Sequence, residues 1–272
     1  MKDIDLIINE ALKEDIPSKD ISSIYLFEDQ ESIANFIAKE DGIISGMKVC
    51  KRTFEIVDSN VYFNVFKQDG DSVVKGDVIA TVKGKTLSIL AAERVGLNFL
   101  QRMSGIATMT REFVRETEGT KAEILDTRKT TPLLRILEKQ AVKDGMGRNH
   151  RMSLSDMVML KDNHLKASVS IKDAVDKVKK NIDPGIQIEV EVESVSMFKE
   201  ALLTDCDIIM LDNMSLEDMR TCVFLNQGNK KIEASGNMTL NRIKDVAQTG
   251  VDYISVGALT HSYKSLDISL KF

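Results

Sequence analysis

The chain has 272 residues, 43% hydrophobic and 29% charged, with a net charge of −5. That supports a buried core in two modest domains or in one barrel with an addition, and it argues against disorder and against a non-specific nucleic-acid surface. Three prolines leave no Pro-rich linker, no stretch approaches the ~18 apolar residues of a membrane span, and the N-terminal MKDIDLIINEALKEDI breaks its apolar residues with acids, unlike a signal peptide, so a cytoplasmic protein with no membrane or nucleic-acid partner is expected.

The first hundred residues read as α+β. Ile4, Ile7, Ile8, Leu12 and Ile16 fall at helical spacing and predict a helix over about 3–15. A second helical pattern covers 46–57, and strand patterns cover 32–40 and 61–67. DGDSVVKGDVIATVKG then punctuates short Val/Ile runs with Gly70, Gly76 and Gly84, which predicts tight turns between short strands. This stretch resembles half of a biotinyl or lipoyl carrier domain, but it runs straight into a long helix over 89–116 and is read as local turn chemistry. Arg94 and Arg102 lie in that helix, and Gly105 marks a candidate break in it. Cys50, Cys206 and Cys222 are widely spaced and odd in number, so they are read as buried free thiols.

From Ala122 the pattern changes. Strand-like runs recur at 122–125, 157–160, 186–192, 207–211, 231–234 and 252–256, with helical stretches at 171–180, 196–204, 216–225 and 240–249 between the later ones. Alternating strands and helices predict parallel βα units. Six strands, with a seventh conceivable, fit a closed α/β barrel, and an open doubly wound sheet is the competing topology. The first run is not followed by G-x-G-x-x-G, which weakens a dinucleotide reading.

In such folds chemistry gathers where the strands end. Here every run ends in polar, charged or glycine residues: Asp126 to Thr131, then Lys161 to His164, Asp212-Asn213, Ser235-Gly236-Asn237 and Gly257-Ala258. Between 126 and 166 the chain holds nine Lys/Arg and two of its three histidines against five acids, a basic patch on an acidic protein. Arg128, Lys129, His150, Arg151 and Lys161 supply cations suited to carboxylate and phosphate. Glu189, Glu191 and Glu193 alternate along one strand and are expected on one face, joined by Asp212 from the next strand. Carboxylates beside an anion site point to a magnesium bridge or to stabilisation of a cationic transition state. Ser235-Gly236 and Gly257-Ala258 would let backbone N–H groups approach a phosphate.

The segments DTRKTTPLLRILEKQAVKDGMGRNHRMSLSDMVMLKDNHL, EVEVES, IIMLDN, EASGN, VDYISVGALTHSYKSLDISLKF and AERVGLNFLQRMSGIAT together resemble the quinolinate phosphoribosyltransferase family, over about residues 90–272. The resemblance implies an open α+β sandwich domain at 1–103, rejoined by 264–272, and an incomplete, about seven-stranded α/β barrel at 104–263. It implies transfer of a phosphoribosyl group to quinolinate with loss of CO2. Arg94, Arg128, His150, Arg151 and Lys161 would bind the two carboxylates of quinolinate. Lys129, Glu191, Asp212, Ser235, Gly236, Gly257 and His261 would surround the ribose, its phosphates and Mg2+, with Lys129, Glu191 and Asp212 catalytic and Glu191 and Asp212 holding the metal directly or through water. A homodimer or larger assembly is implied, Arg94 reaching the partner's site. Three stretches depart from the family pattern: Glu14–Ser22 lacks its glycines, Pro132-Leu133 stands for Pro-Gly, and Asn237 stands for the second glycine of SGG. Rival readings are a related paralogue associated with molybdenum transport and a Schiff-base lyase using Lys161 or Lys129.

Overall fold

A computed structural model describes residues 2–272, which divide into two compact units. The first comprises residues up to Arg111, 131–146 and 263–272; the second comprises 112–130 and 147–262.

The first unit begins with α1 (Lys2–Asp15), β1 (Glu31–Ala38), β2 (Gly42–Ile43), α2 (Met47–Val57), β3 (Tyr62–Val65), β4 (Ser72–Val73), β5 (Val78–Lys85) and α3 (Thr86–Arg115). Its main sheet is antiparallel, and the last strand of the chain, β12 (Ile268–Lys271), returns to its edge, giving the order β12-β1-β5-β3. β2 and β4 form a separate two-stranded ribbon, so the glycine-rich stretch does make turns and short strands. One face of β1 is apolar, with Ala34, Phe36 and Ala38 fully buried, while Ile33 on the other face is exposed. Phe36, Phe54 and Phe63 meet edge-to-face or tilted, with centroids 5.3–5.7 Å apart.

The predicted break at Gly105 is absent, for α3 runs unbroken through it. Glycine is required there by packing: a Cβ would collide with the Lys264 carbonyl oxygen and lie 2.8 Å from Ser265 Cα. The returning chain crosses the helix at this point, where the Leu266 N–H donates to Gln101 O (3.0 Å). The domain limit expected between 103 and 104 falls inside α3, and the helix stays with the first unit through Arg111.

β6 (Glu123–Leu125) opens the sheet of the second unit, and α4 (Arg135–Asp144) lies in the segment that groups with the first. Arg102 holds that segment by donating to Glu138, which is fully buried, at 2.5 Å, and to the Thr131 hydroxyl. The remaining elements are β7 (Val158–Leu160), α5 (Asp162–Lys166), α6 (Ile171–Lys179), β8 (Ile188–Val192), α7 (Val195–Leu202), β9 (Ile208–Asp212), α8 (Leu216–Asn226), β10 (Lys231–Ser235), α9 (Leu240–Ala247), β11 (Tyr253–Ser255), α10 (Ala258–His261) and β12.

The second unit carries a six-stranded parallel sheet of order β6-β11-β10-β9-β8-β7. Every strand after β7 adds to the same side, which rules out the doubly wound order. The segment at Arg148 adds a single parallel bridge to Leu125. Ile188, Val190 and Val192 of β8 are fully buried, as are Ile232 and Ala234 of β10 to within 1%. Residues alternating with them face the opposite side and include Glu189, Glu191 and Glu233. Ser170, Ser194 and Ser215 cap α6, α7 and α8 by accepting from the N–H three residues on. At the other ends of the strands Asp252 accepts from Ile232 N and pairs with Lys121 and Lys231 at 3.1 Å. Burial works against that carboxylate, yet these partners hold its pKa below the usual range.

Leu133, where the family pattern has glycine, sits at φ 68° and is 88% exposed. A left-handed leucine costs about 1–2 kcal/mol, of which the greater flexibility of an unfolded glycine would cancel about 0.5–1 kcal/mol. Leu133→Gly is therefore expected to raise the melting midpoint by about 2 °C in calorimetry. A lowered midpoint would show that the leucine makes compensating contacts.

Candidate active site

The C-terminal ends of the parallel strands surround a cavity of about 780 Å³. Thr127, Arg128 and Lys129 follow β6; His150 and Arg151 follow the Arg148 bridge; Lys161 follows β7. Glu191 comes from β8, Asp212 and Asn213 from β9, Ser235, Gly236 and Asn237 from β10, and Gly257, Ala258 and His261 from the end of the unit. Of the site residues expected from sequence, all line this one cavity except Arg94. Arg94 belongs to the first unit, exposed on α3.

Local geometry fixes each side chain. The Lys129 peptide is held at both ends: its N–H donates to Thr127 Oγ1 at 3.1 Å, and its carbonyl accepts from Thr260 Oγ1 at 3.0 Å. Arg151 donates to the Met157 carbonyl at 3.0 Å. Burial and the nearby Arg128 charge both pull the Arg151 pKa below its ordinary value. Two guanidiniums that repel one another across a cavity make a site that an anion would relieve. Lys161 Nζ donates to Glu191 Oε2 at 3.1 Å.

The β9 and β10 ends form a connected corner. Asn213 N donates to Ser235 O at 3.0 Å, Asn237 Nδ2 to Asn213 Oδ1 at 3.0 Å, and Asn213 Nδ2 to Asp212 Oδ2 at 2.8 Å. Asn213, Gly236 and Asn237 all have positive φ, at 53°, 93° and 50°. Gly236 has no alternative, since a Cβ would collide with the Asn213 carboxamide and lie 2.8 Å from its N. At 237 asparagine replaces the family's glycine at small cost because it tolerates this region, and its side chain is then used to hold Asn213. Arg242 donates to Gly236 O and Met214 O, clamping the same corner. At Gly257 a Cβ would come within 3.0 Å of His261 Nε2 and 3.1 Å of Lys129 Cδ.

The three alternating glutamates do not behave alike. Glu193 lies past the end of β8 and is exposed. Glu191 lines the cavity, and Glu189 lies deeper, fully buried. The strand stops at Val192, so alternation no longer dictates direction for Glu193. Glu189 meets His150, whose Nε2 is 2.9 Å from Glu189 Oε2 and 3.5 Å from Glu233 Oε2. These are the described residues grouped closely enough to hold a metal by three side chains. Burial opposes the charged imidazole, but the hydrogen bond to Glu189 and the charges of both glutamates override it and raise His150 to about 10. Burial and the Glu233 charge push Glu189 up to about 7, against the pull of His150. Glu233 went unremarked in sequence because β10 reads KIEAS, where one acid in a short apolar run is unremarkable. Its spacing two residues before Ser235 was the available signal. His164 caps its own turn, with Nδ1 accepting from Lys161 N at 3.1 Å.

Comparison with known proteins identifies the family. Residues 20–104 match the N-terminal domain of quinolinate phosphoribosyl transferase and residues 106–271 its C-terminal domain. The chain belongs to the quinolinate phosphoribosyltransferase family. It is 45% identical over 264 residues to a probable carboxylating nicotinate-nucleotide pyrophosphorylase of Bacillus subtilis (strain 168), covering 97% of this chain and 91% of that one. Its structure is similar to NadC from Streptococcus pyogenes, with a TM-score of 0.96 at 42% identity, covering 99% and 95% of the two chains. The nicotinate-nucleotide pyrophosphorylase of Francisella tularensis gives 0.96 at 38% identity, covering 99% and 96%.

In this member of the family, His150→Leu would leave Glu189 and Glu233 buried without a cation, a loss of about 3–5 kcal/mol. Adding Glu189→Gln and Glu233→Gln to that variant is expected to recover most of it, as urea unfolding at pH 8 would reveal; simple additivity of the losses would refute the coupling. An imidazole whose folded pKa is raised from 6.5 to about 10 contributes fully below pH 6.5 and loses that contribution as pH climbs through 10. The wild-type unfolding midpoint should therefore fall across that window more than the triple variant's.

Proposed function

We infer that the chain is a carboxylating nicotinate-nucleotide pyrophosphorylase, acting in NAD biosynthesis. It transfers the phosphoribosyl group of phosphoribosyl pyrophosphate to the ring nitrogen of quinolinate, releasing pyrophosphate and CO2 and leaving nicotinate mononucleotide. The observation that carries the reading is a single cavity in which Arg128, Lys129, Arg151 and Lys161 face Glu191 and Asp212, on a chain matched along nearly its whole length.

Two anionic substrates must be brought together there, and the protein offsets their repulsion by fixed charge. Arg128, Arg151, His150 and Lys161 receive the two carboxylates of quinolinate. The ribose and its phosphates lie over Lys129, Ser235, Gly236, Gly257 and His261. Attack of the pyridine nitrogen on C1 of the ribose builds positive charge on the sugar, and Glu191 and Asp212 stabilise it through the ribose hydroxyls. The ribosylated ring nitrogen is then cationic and stabilises by its charge the in-plane electron pair left at C2 when that carboxylate departs as CO2, and a proton taken up at C2 completes nicotinate mononucleotide. No prosthetic group is needed for this step.

Glu191 and Asp212 offer hard oxygen donors on neighbouring strands, a set suited to Mg2+, which is commonly held by one or two carboxylates together with substrate phosphates. When bound, the ion would neutralise the departing pyrophosphate. The order β6-β11-β10-β9-β8-β7 places the first strand beside the last, which supports an incomplete barrel whose seventh segment is the bridge at Arg148. The exposure of Arg94 supports its donation to a second copy's cavity in a homodimer or larger assembly. Among the described residues no helix is long and apolar enough to cross a membrane. The pairing of Lys161 with Glu191 favours an anion-binding role over a Schiff base.

Purified protein with quinolinate, phosphoribosyl pyrophosphate and Mg2+ is expected to release CO2 and pyrophosphate in equal amounts, and neither with nicotinate. Pyrophosphate from nicotinate without CO2 would overturn the assignment, and borohydride trapping of substrate would favour the lyase. Arg128→Ala is expected to raise the KM for quinolinate by about a hundredfold, the worth of a bidentate charged contact, with a much smaller effect on phosphoribosyl pyrophosphate.

A further inference from the structure

His150 lines the cavity, but the two carboxylates behind it do not. Glu189 projects from β8 and Glu233 from β10, on either side of β9, where Met210 pairs with Glu191 and with Glu233. Both acids approach the same ring atom, with Oε2 of Glu189 at 2.9 Å and Oε2 of Glu233 at 3.5 Å from His150 Nε2. Whichever of the two carboxylates is ionised can only accept, so it calls for a proton on Nε2, whatever the state of the other nitrogen. The backbone is pinned separately, His150 N donating to Asp126 Oδ1 at 2.9 Å just beyond β6. Three strands thus fix one imidazole.

This arrangement is costly. Glu189 and Glu233 are fully buried, and Glu189 Oε1 and both Glu233 oxygens lack a hydrogen-bond partner. Apolar residues of similar volume would stabilise the strands better. On the cavity side the charged residues are the cations Arg128, Lys129, Arg151 and Lys161, the last paired to Glu191, and the acid Asp212. A cationic ring would be driven away from these cations without acids at its back.

We propose that Glu189 and Glu233 are positioning residues for the pyridine dicarboxylate: they anchor His150 through Nε2 and keep the ring turned so that it meets a substrate carboxylate beside Arg128 and Arg151. The inference rests on the reading that His150 contacts quinolinate, and it does not involve the state of Glu191 or Asp212. It separates the two substrates, since the anchored ring serves the dicarboxylate and not the phosphoribosyl donor.

The test uses Glu233→Gln and Glu189→Gln, which keep shape but place an amide donor against Nε2. In each, KM for quinolinate is expected to rise about tenfold or more, while KM for phosphoribosyl pyrophosphate stays within about twofold and the unfolding midpoint changes little. Equal rises in both KM values, or none, would overturn the proposal. Wild-type protein inactive on quinolinate would instead sink the functional reading, so a substrate-free measurement is included. In intact wild-type protein labelled with 15N-histidine, the His150 signals, assigned by their loss in His150→Asn, should show Nε2 protonated from pH 6 to pH 8. An unprotonated Nε2 would overturn the proposal, as would one equivalent of a transition metal lost on Glu233→Gln.

Discussion

The contact between one imidazole and two carboxylates deep among the parallel strands sets the terms for the rest of the second unit. Glu189 and Glu233 have no exposure to water, and taking carboxylates out of water is costly without a counter-charge. His150 supplies that charge, and a backbone bond to Asp126 holds it in place. Above it the balance reverses, with Arg128, Lys129, Arg151 and Lys161 around the cavity. Acids below and cations above make a field that draws an anion in and orients it. The quinolinate ring, flat and twice negative, suits that field.

The strands run parallel, so their C-terminal ends lie together and every loop leaving them borders the same space. Helices need their first N–H groups satisfied, and serines capping α6, α7 and α8 meet that need without entering the cavity. The β9 and β10 loops bend more sharply. Three requirements for positive φ, at Asn213, Gly236 and Asn237, are met by one glycine and two asparagines, and the asparagine side-chain amides then tie the two loops together. Strain of this kind clusters where backbone must approach a ligand closely.

In the first unit, the antiparallel sheet is packed by aromatic rings on one face, and α3 is crossed by the returning chain at a residue too crowded for any side chain. The pair between half-buried Arg102 and buried Glu138 keeps the segment 131–146 with this unit although the chain enters and leaves it from the second. Gly105 thus acts through packing and not through helix breaking. Glycine's low helix propensity is a weak signal beside the apolar periodicity of thirty helical residues.

Periodicity and turn chemistry were legible in the chain alone. The alternation of strands and helices after Ala122, the polar residues closing each strand, and the family motifs are each a local property of a few neighbouring residues, and all but one of the site residues expected from them line the cavity. The need for positive φ at Leu133 and Asn237 was also present, as departures from a glycine pattern. What local pattern could not decide is which residues meet across strands. Glu189, Glu191 and Glu193 look equivalent in sequence, yet one is buried against His150, one lines the cavity and one is exposed, because depth in the sheet and the point where β8 ends are set by neighbouring strands. Glu233 became visible only when the folded sheet brought it, with Glu189, to the same nitrogen of His150. Arg94 is left outside the cavity for the same reason: its position depends on how a chain already folded meets others, and burial energies across strands or subunits leave no mark on a single stretch of residues.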